Sequence, residues 1–260
     1  MQGLQTKEGM TQGELISLQG VTGRQIRTRH EEEARAPRKD LFSLFSGSEG
    51  RRILLHRGDR LLRMGDRPGM VYLVHSGVLK SCLVSIDGNL RILGFHGGGE
   101  LLGMEALSAT PARCDLVALD TSSVLSMPVE RVLRESHGSP EVETAVLTQM
   151  ERQQMRLESL LQQERLNAPA RVAFFLLSQS ELHRHMGCSG TTFRLPMTRR
   201  ELARFLNLAN ETVSRIFTRL RREGVVEMEY QMISLLRPER LCEMVGPAAE
   251  ELFAGERAAS

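Results

Sequence analysis

Residues 198–224 read Thr-Arg-Arg-Glu-Leu-Ala-Arg-Phe-Leu-Asn-Leu-Ala-Asn-Glu-Thr-Val-Ser-Arg-Ile-Phe-Thr-Arg-Leu-Arg-Arg-Glu-Gly. Thr198 followed three residues later by Glu201 is a capping box, which satisfies two orphan amides and opens a helix that runs to Leu206. Leu208-Ala209-Asn210 is expected as a tight turn. A second helix then spans Glu211 to Arg222, with Val213, Ile216, Phe217 and Leu220 on one face and Glu211, Ser214, Arg215 and Arg219 on the other. Gly224 ends it, and Val225 to Leu236 has the pattern of a two-stranded hairpin. The arrangement is a helix-turn-helix with a wing.

Charge gives this motif a chemistry. Between Arg194 and Arg222 there are eight arginines and two glutamates, a local net of +6 in a chain whose total is +2, so the remainder carries about −4. A guanidinium fork bonds phosphate, or O6 and N7 of guanine, through two parallel hydrogen bonds. In a major groove Arg215 would read guanine, Glu211 would accept from the amino group of cytosine, and Ser214 would touch a neighbouring base. A carboxylate is repelled by phosphates, so Glu211 in a basic helix favours base reading over a helix-dipole role. Thr198, Arg199, Asn210, Thr212 and Arg219 are expected on the phosphates. The partner implied is double-stranded DNA.

N-terminal to this unit the pattern changes twice. Val146, Met150, Gln153, Leu157 and Leu160 alternate steps of four and three, the seam of a coiled coil, and Gly138 and Pro140 mark where that helix begins. The seam predicts a homodimer. Pro169 interrupts it, and a further helix is expected over Arg171 to Leu182. Between Arg51 and Pro128 lie short β-type runs separated by glycines: Ile53–Leu55, Met70–Val74, Val78–Ile86, Leu90–Phe95, Leu116–Leu119 and Val124–Met127, with Asp87-Gly88 as a hairpin signal. Residues 1–40 are polar and are expected to be a flexible extension.

The chain has 260 residues, 41% hydrophobic and 25% charged, a globular composition without a spanning apolar stretch or a secretory leader. Its four cysteines, Cys82, Cys114, Cys188 and Cys242, are widely separated with no C-x-x-C pair, as in a reduced cytoplasmic protein. No nucleophile elbow, phosphate-binding loop or dinucleotide fingerprint is present, which argues against an enzyme. A cupin-type metal enzyme would need a histidine where Gly98 stands, two residues after His96. A ligand-binding module that acts only through another protein would leave the arginine concentration without a role.

The order of parts resembles the bacterial family of the cyclic AMP receptor protein and the fumarate-nitrate reductase regulator, over roughly Gly50 to Glu243. Phe95-His96-Gly97-Gly98-Gly99-Glu100-Leu101-Leu102-Gly103 and Glu211-Thr212-Val213-Ser214-Arg215 resemble segments of its second branch. The resemblance implies an α+β chain: an N-terminal β-roll like a cyclic-nucleotide-binding jelly roll, a long dimerisation helix and a C-terminal winged helix-turn-helix. It divides the chain into a 1–40 extension, a 41–137 sensor roll, a 138–167 dimer helix, a 168–245 DNA-binding domain and a 246–260 tail. It also implies a TTGAT-N4-ATCAA-like operator and an activator that contacts RNA polymerase.

Two departures shape the expected signal. An iron–sulfur cluster needs about four thiolates, yet residues 1–40 contain no cysteine and Leu125 stands where the roll would supply a ligand, so no cluster and no metal site is expected. The effector pocket implied by resemblance comprises Gly99, Glu100, Arg113 and Cys114. There Arg113-Cys114 replaces an Arg-Ser pair and Arg156-Leu157 replaces two hydroxyl residues, leaving cyclic AMP without partners for its polar groups. Cys114, beside Arg113, is the candidate thiol sensor. Haem remains open through His75, His96, His137, His183 or His185, and an effector-free regulator is also consistent with the missing ligands.

Overall fold

The computed structural model describes residues 41–47, 50–86, 88–185 and 187–246; the expected extension and nearly all of the expected tail lie outside these residues. A helical segment over residues 41–45 (α1) leads into the roll, where Leu41, Leu44 and Phe45 are buried. The strands are β1 (Arg51–Leu55), β2 (Arg60–Leu62), β3 (Met70–Ser76), β4 (Leu79–Val84), β5 (Leu90–His96), β6 (Leu101–Leu102), β7 (Asp115–Ala118) and β8 (Ser122–Pro128), with a 3-10 turn at Met104–Ser108. They form two antiparallel sheets in the orders β1-β8-β3-β6 and β2-β7-β4-β5.

The sequence runs named six of these strands. It missed β2 and β6, which at three and two residues are too short to show a period. At the β3–β4 turn Gly77 has φ +83, and a Cβ there would lie 2.3 Å from Ser122 Oγ, so the turn admits only glycine. Gly88 takes φ +77 in the β4–β5 turn, which Ser85 closes by donating its amide to Asn89 O at 2.9 Å.

After β8 come α2 (Val129–Gly138) and the long α3 (Pro140–Glu164), capped by Ser139, whose hydroxyl accepts from the Val142 amide. One face of α3 lies on the roll. Val142, Ala145 and Val146 are buried in a core with Val71, Leu73 and Leu101, and Gln149 donates to Gly99 O at 3.1 Å. Gln153 donates to Leu101 O at 3.2 Å. The residues of the expected seam are therefore divided between the roll and the outer face. Met150, Gln153 and Leu157 are exposed, although the Gln153 amide reaches the roll, whereas Val146 is buried against the roll and Leu160 is half-buried. The outward stripe is Leu147, Met150, Gln154, Leu157 and Leu161, again in steps of three and four; its four apolar members are 51–67% exposed. Both faces of an amphipathic helix repeat every three to four residues, so periodicity alone does not say which one meets the roll.

The last part of the chain comprises α4 (Ala168–His185), β9 (Thr192–Arg194), α5 (Arg199–Leu206), α6 (Asn210–Arg222), β10 (Val226–Glu229), β11 (Met232–Leu235) and α7 (Pro238–Val245). α4 extends beyond its expected ends because Pro169 sits in its first turn, where a missing N–H costs nothing. The expected hairpin gains a third strand, since β9 pairs with β11. The turn within the motif is also displaced: Asn207, at φ +53, caps α5, and α6 already begins at Asn210.

One hydrophobic core runs from the roll into this last part. Cys82, Ile92 and Phe95 belong to the same buried cluster as Phe174, Phe175, Leu176, Leu202 and Phe217. Phe95 and Phe175 meet edge-on with centroids 6.2 Å apart, and Phe205 lies 5.1 Å from Phe95 and 5.7 Å from Phe175. Phe175 is 2% exposed. Phe175→Ala removes the central ring and is expected to cost about 3 to 5 kcal/mol, read as a lowered urea midpoint by circular dichroism.

Candidate nucleic-acid interface

α6 is built to present one face. Val213, Ile216, Phe217 and Leu220 are buried, while Glu211 and Arg215, four residues apart, are exposed and carry no ion pair among the described residues. Ser214 and Thr212 are half-buried at the edge of that face. Ala209 precedes the helix without a side-chain cap, so the amides of its first turn remain open to an anion. Farther along, Thr218, Arg221 and Arg222 line an open groove of about 430 Å³ shared with Val226, Glu227 and Leu236 of the wing. Sequence reasoning did not single out Arg221 and Arg222. Their spacing from Arg215 and Thr218 was visible, but the wing wall was not.

Several residues expected on phosphates have other partners. Thr198 accepts the Glu201 amide at 3.2 Å while Glu201 accepts the Thr198 amide at 2.8 Å, so this pair makes the capping box. Arg199 is corrected: its guanidinium lies 3.5 Å from the centroid of the Phe217 ring, with Nη2 on Met228 Sδ at 2.6 Å. Burial, aided by Arg221, brings its pKa down to about 10. Arg219 bonds Glu223 at 3.0 Å across one turn, on a side chain 52% exposed. Asn210 stands exposed as the first residue of α6.

The motif is seated on the roll through charges as well as rings. Lys80 of β4 donates to Glu201 at 2.6 Å, with both side chains largely buried, and Arg57 lies 3.9 Å from the same carboxylate. Burial pushes the Glu201 carboxyl up, but Lys80 and the Thr198 bonds overcome that and leave it lowered. Arg194 of β9 bonds both Gln231 in the wing and Asp120 in the roll.

Inside the roll the expected effector residues have different surroundings. Glu100 is held by Arg156 of α3 at 2.8 Å and accepts the Gly97 amide at 3.1 Å, whereas Arg113 is exposed and shares no contact with it. Gly99 instead carries the Gln149 bond. Arg156 also donates to Phe95 O at 3.1 Å, and its Nη1 lies 2.8 Å from His96 Nδ1. His96 Nε2 sits 2.9 Å from Ser81 Oγ. His96 Nδ1 also lies 3.1 Å from Glu100 Oε2, so the position of the ring proton decides whether Nδ1 donates to Glu100 or accepts from Arg156. Burial lowers the His96 pKa, opposed by its bond to Glu100 and reinforced by Arg156. Burial would raise Glu100, but Arg156, His96 and the Gly97 amide hold it at about 2. The role of Arg156 was missed; a glutamate in an apolar strand turn needs a cation, and that requirement was the available signal.

The thiols do not fit a cluster. Cys82 is on β4, Cys114 precedes β7, Cys188 follows α4 and Cys242 is on α7. Burial, then Glu105, pushes Cys114 up to about 11, which disfavours its thiolate. Leu125 is buried in the core. Among the described residues no group of three or more His, Cys, Asp or Glu could hold a metal ion. His137 and His183 bond the carbonyls of Leu133 and Gln179, and His75 meets the Phe42 ring edge-on. No helix among the described residues is long and apolar enough to cross a membrane.

Comparison with known proteins gives the same outline. A family model described as the Crp-like helix-turn-helix domain matches residues 170–244, and one described as the cyclic nucleotide-binding domain matches residues 52–136. The chain is 36% identical to the transcriptional activator protein anr of Pseudomonas aeruginosa over 201 residues, covering 75% of this chain and 81% of that protein. It is 29% identical to the fumarate and nitrate reduction regulatory protein of Vibrio cholerae, covering 75% and 79%. Among solved structures, FixK2 from Bradyrhizobium japonicum superposes with a TM-score of 0.68 at 23% identity, over 76% of this chain and 98% of that one.

The Glu100–Arg156–His96 group predicts a pH dependence. Unfolded His96 takes up a proton below about pH 6.5 while the folded residue resists, so stability declines as pH falls through that value. Glu100 contributes stability that is complete above its unfolded value of 4.5 and is lost as pH falls toward about 2. Urea midpoints are expected to fall on acidification, and Glu100→Gln to flatten the part of the decline below pH 4.5.

Proposed function

Because the chain belongs to the cyclic AMP receptor protein and fumarate–nitrate reduction regulator family of DNA-binding transcription regulators, we propose that it reads a TTGAT-N4-ATCAA-like palindrome as a homodimer. The observation that carries this reading is the exposed α6 face, with Glu211 and Arg215 one turn apart and Ser214 beside them. Arg215 bonds guanine, Glu211 accepts from cytosine, and Ser214 contacts an adjacent base. Phosphates are held by Asn210, Thr212, Arg219, the open first turn of α6, and Arg221 and Arg222 beside the wing, with Thr198 and Arg199 acting indirectly by fixing α5.

The two copies pair through the outward α3 stripe of Leu147, Met150, Leu157 and Leu161, which places the α6 helices about one helical turn of DNA apart. In this reading residues 41–137 form the regulatory roll, 138–167 the dimer helix and 168–245 the DNA-binding unit. A relative named as a transcriptional activator supports contact with RNA polymerase. The Arg156 guanidinium on Glu100 supports regulation without cyclic AMP, and the dispersed cysteines support regulation without an iron–sulfur cluster.

Fluorescence anisotropy with the palindrome and a scrambled duplex, at two salt concentrations, tests the reading. Selective binding that weakens as salt rises is expected; equal affinity for both duplexes would overturn the base assignments. Arg215→Ala should cost about 1 to 3 kcal/mol on the palindrome and little on the scrambled duplex. Leu157→Glu should shift the protein toward monomer in sedimentation, because it buries a charge in the seam.

A further inference from the structure

A cleft of about 130 Å³ opens where β5, the end of α3 and α5 meet, lined among others by Arg91, Leu93, Leu160, Gln163, Arg204 and Phe205. Gln163 is only 5% exposed, and its amide forms no hydrogen bond among the described residues. Its carbon chain is covered while the amide atoms stay accessible at the cleft, where they are free to bond a ligand. Arg91 on β5 and Arg204 on α5 are exposed residues of the lining, and neither has an ion-pair partner among the described residues. Arg171, also at the cleft, is occupied by the carbonyls of Leu166, Leu206 and Glu164. Glu164 supplies the lone carboxylate of the lining against three guanidinium groups.

We propose that this cleft is an effector site for a small oxyanion, distinct from the sealed Glu100 region. Arg91 and Arg204 take the negative charge, Gln163 donates to it, and Leu93, Leu160 and Phe205 form the apolar wall. At about 130 Å³ the cleft is small beside the roughly 300 to 1,000 Å³ of drug-sized sites, which favours a ligand of few atoms. A bound anion joins the roll, the end of the long helix and the helix-turn-helix, and so favours the arrangement in which they are docked.

The test is isothermal titration of the full-length, DNA-free protein with inorganic phosphate, sulfate, nitrate and succinate at constant ionic strength. The four probes distinguish inorganic oxyanions from a small dicarboxylate. One saturable site per chain is expected for at least one of them. Arg91→Gln, Arg204→Gln and Gln163→Leu should each weaken that binding about tenfold or more, while Arg215→Ala leaves it unchanged. Gln163→Leu keeps the apolar volume and serves where an arginine variant fails to fold. Absence of saturable binding for all four probes overturns the proposal, as does binding lost in Arg215→Ala but kept in the cleft variants. Operator binding is measured without these anions, so its outcome is independent of this one.

Discussion

The contact among Phe95, Phe175 and Phe205 is the aromatic centre of the packing that joins the roll to the C-terminal part of the chain. Phe95 comes from the roll, Phe175 from α4 and Phe205 from α5, and together they make the roll core and the helix-turn-helix core a single buried cluster. Dry aromatic surface is non-directional, so the rings alone would tolerate sliding. The bond from Lys80 to Glu201 and the link from Arg194 to Asp120 restrict that freedom. α5 is therefore positioned twice, once by its own capping box and once by the roll.

The same glutamate and arginines show how a basic segment is divided between structure and recognition. Arg194 ties the wing to the roll, Arg199 covers Phe217, and Arg219 pairs within its helix. Arg200, Arg204, Arg215, Arg221 and Arg222 keep no ion pair among the described residues, and Arg215, Arg221 and Arg222 project from α6. A count of positive charge overstates what is available to DNA, because a guanidinium stacked on a ring or bound to a carboxylate must first give up that contact.

In the roll, burial and charge meet at Glu100. Removing a carboxylate from water is expensive, and Arg156 makes it tolerable by bringing a cation from α3. The same guanidinium bonds the Phe95 carbonyl, so the long helix, the roll strand and the aromatic contact are mechanically continuous.

By itself the sequence determined the helix-turn-helix, its capping box at Thr198 and Glu201, the apolar face of α6 and the character of the roll, since each follows from local spacing and turn chemistry. It also determined that residues 1–40 bring no thiolate. Tertiary structure decided what local spacing leaves degenerate: which stripe of α3 faces outward, that Arg199 folds onto Phe217, that β9 completes the wing, and that Arg156 answers Glu100. These outcomes depend on partners 18 or more residues away in the chain, and a long, flexible side chain takes whichever partner the packed backbone brings within reach.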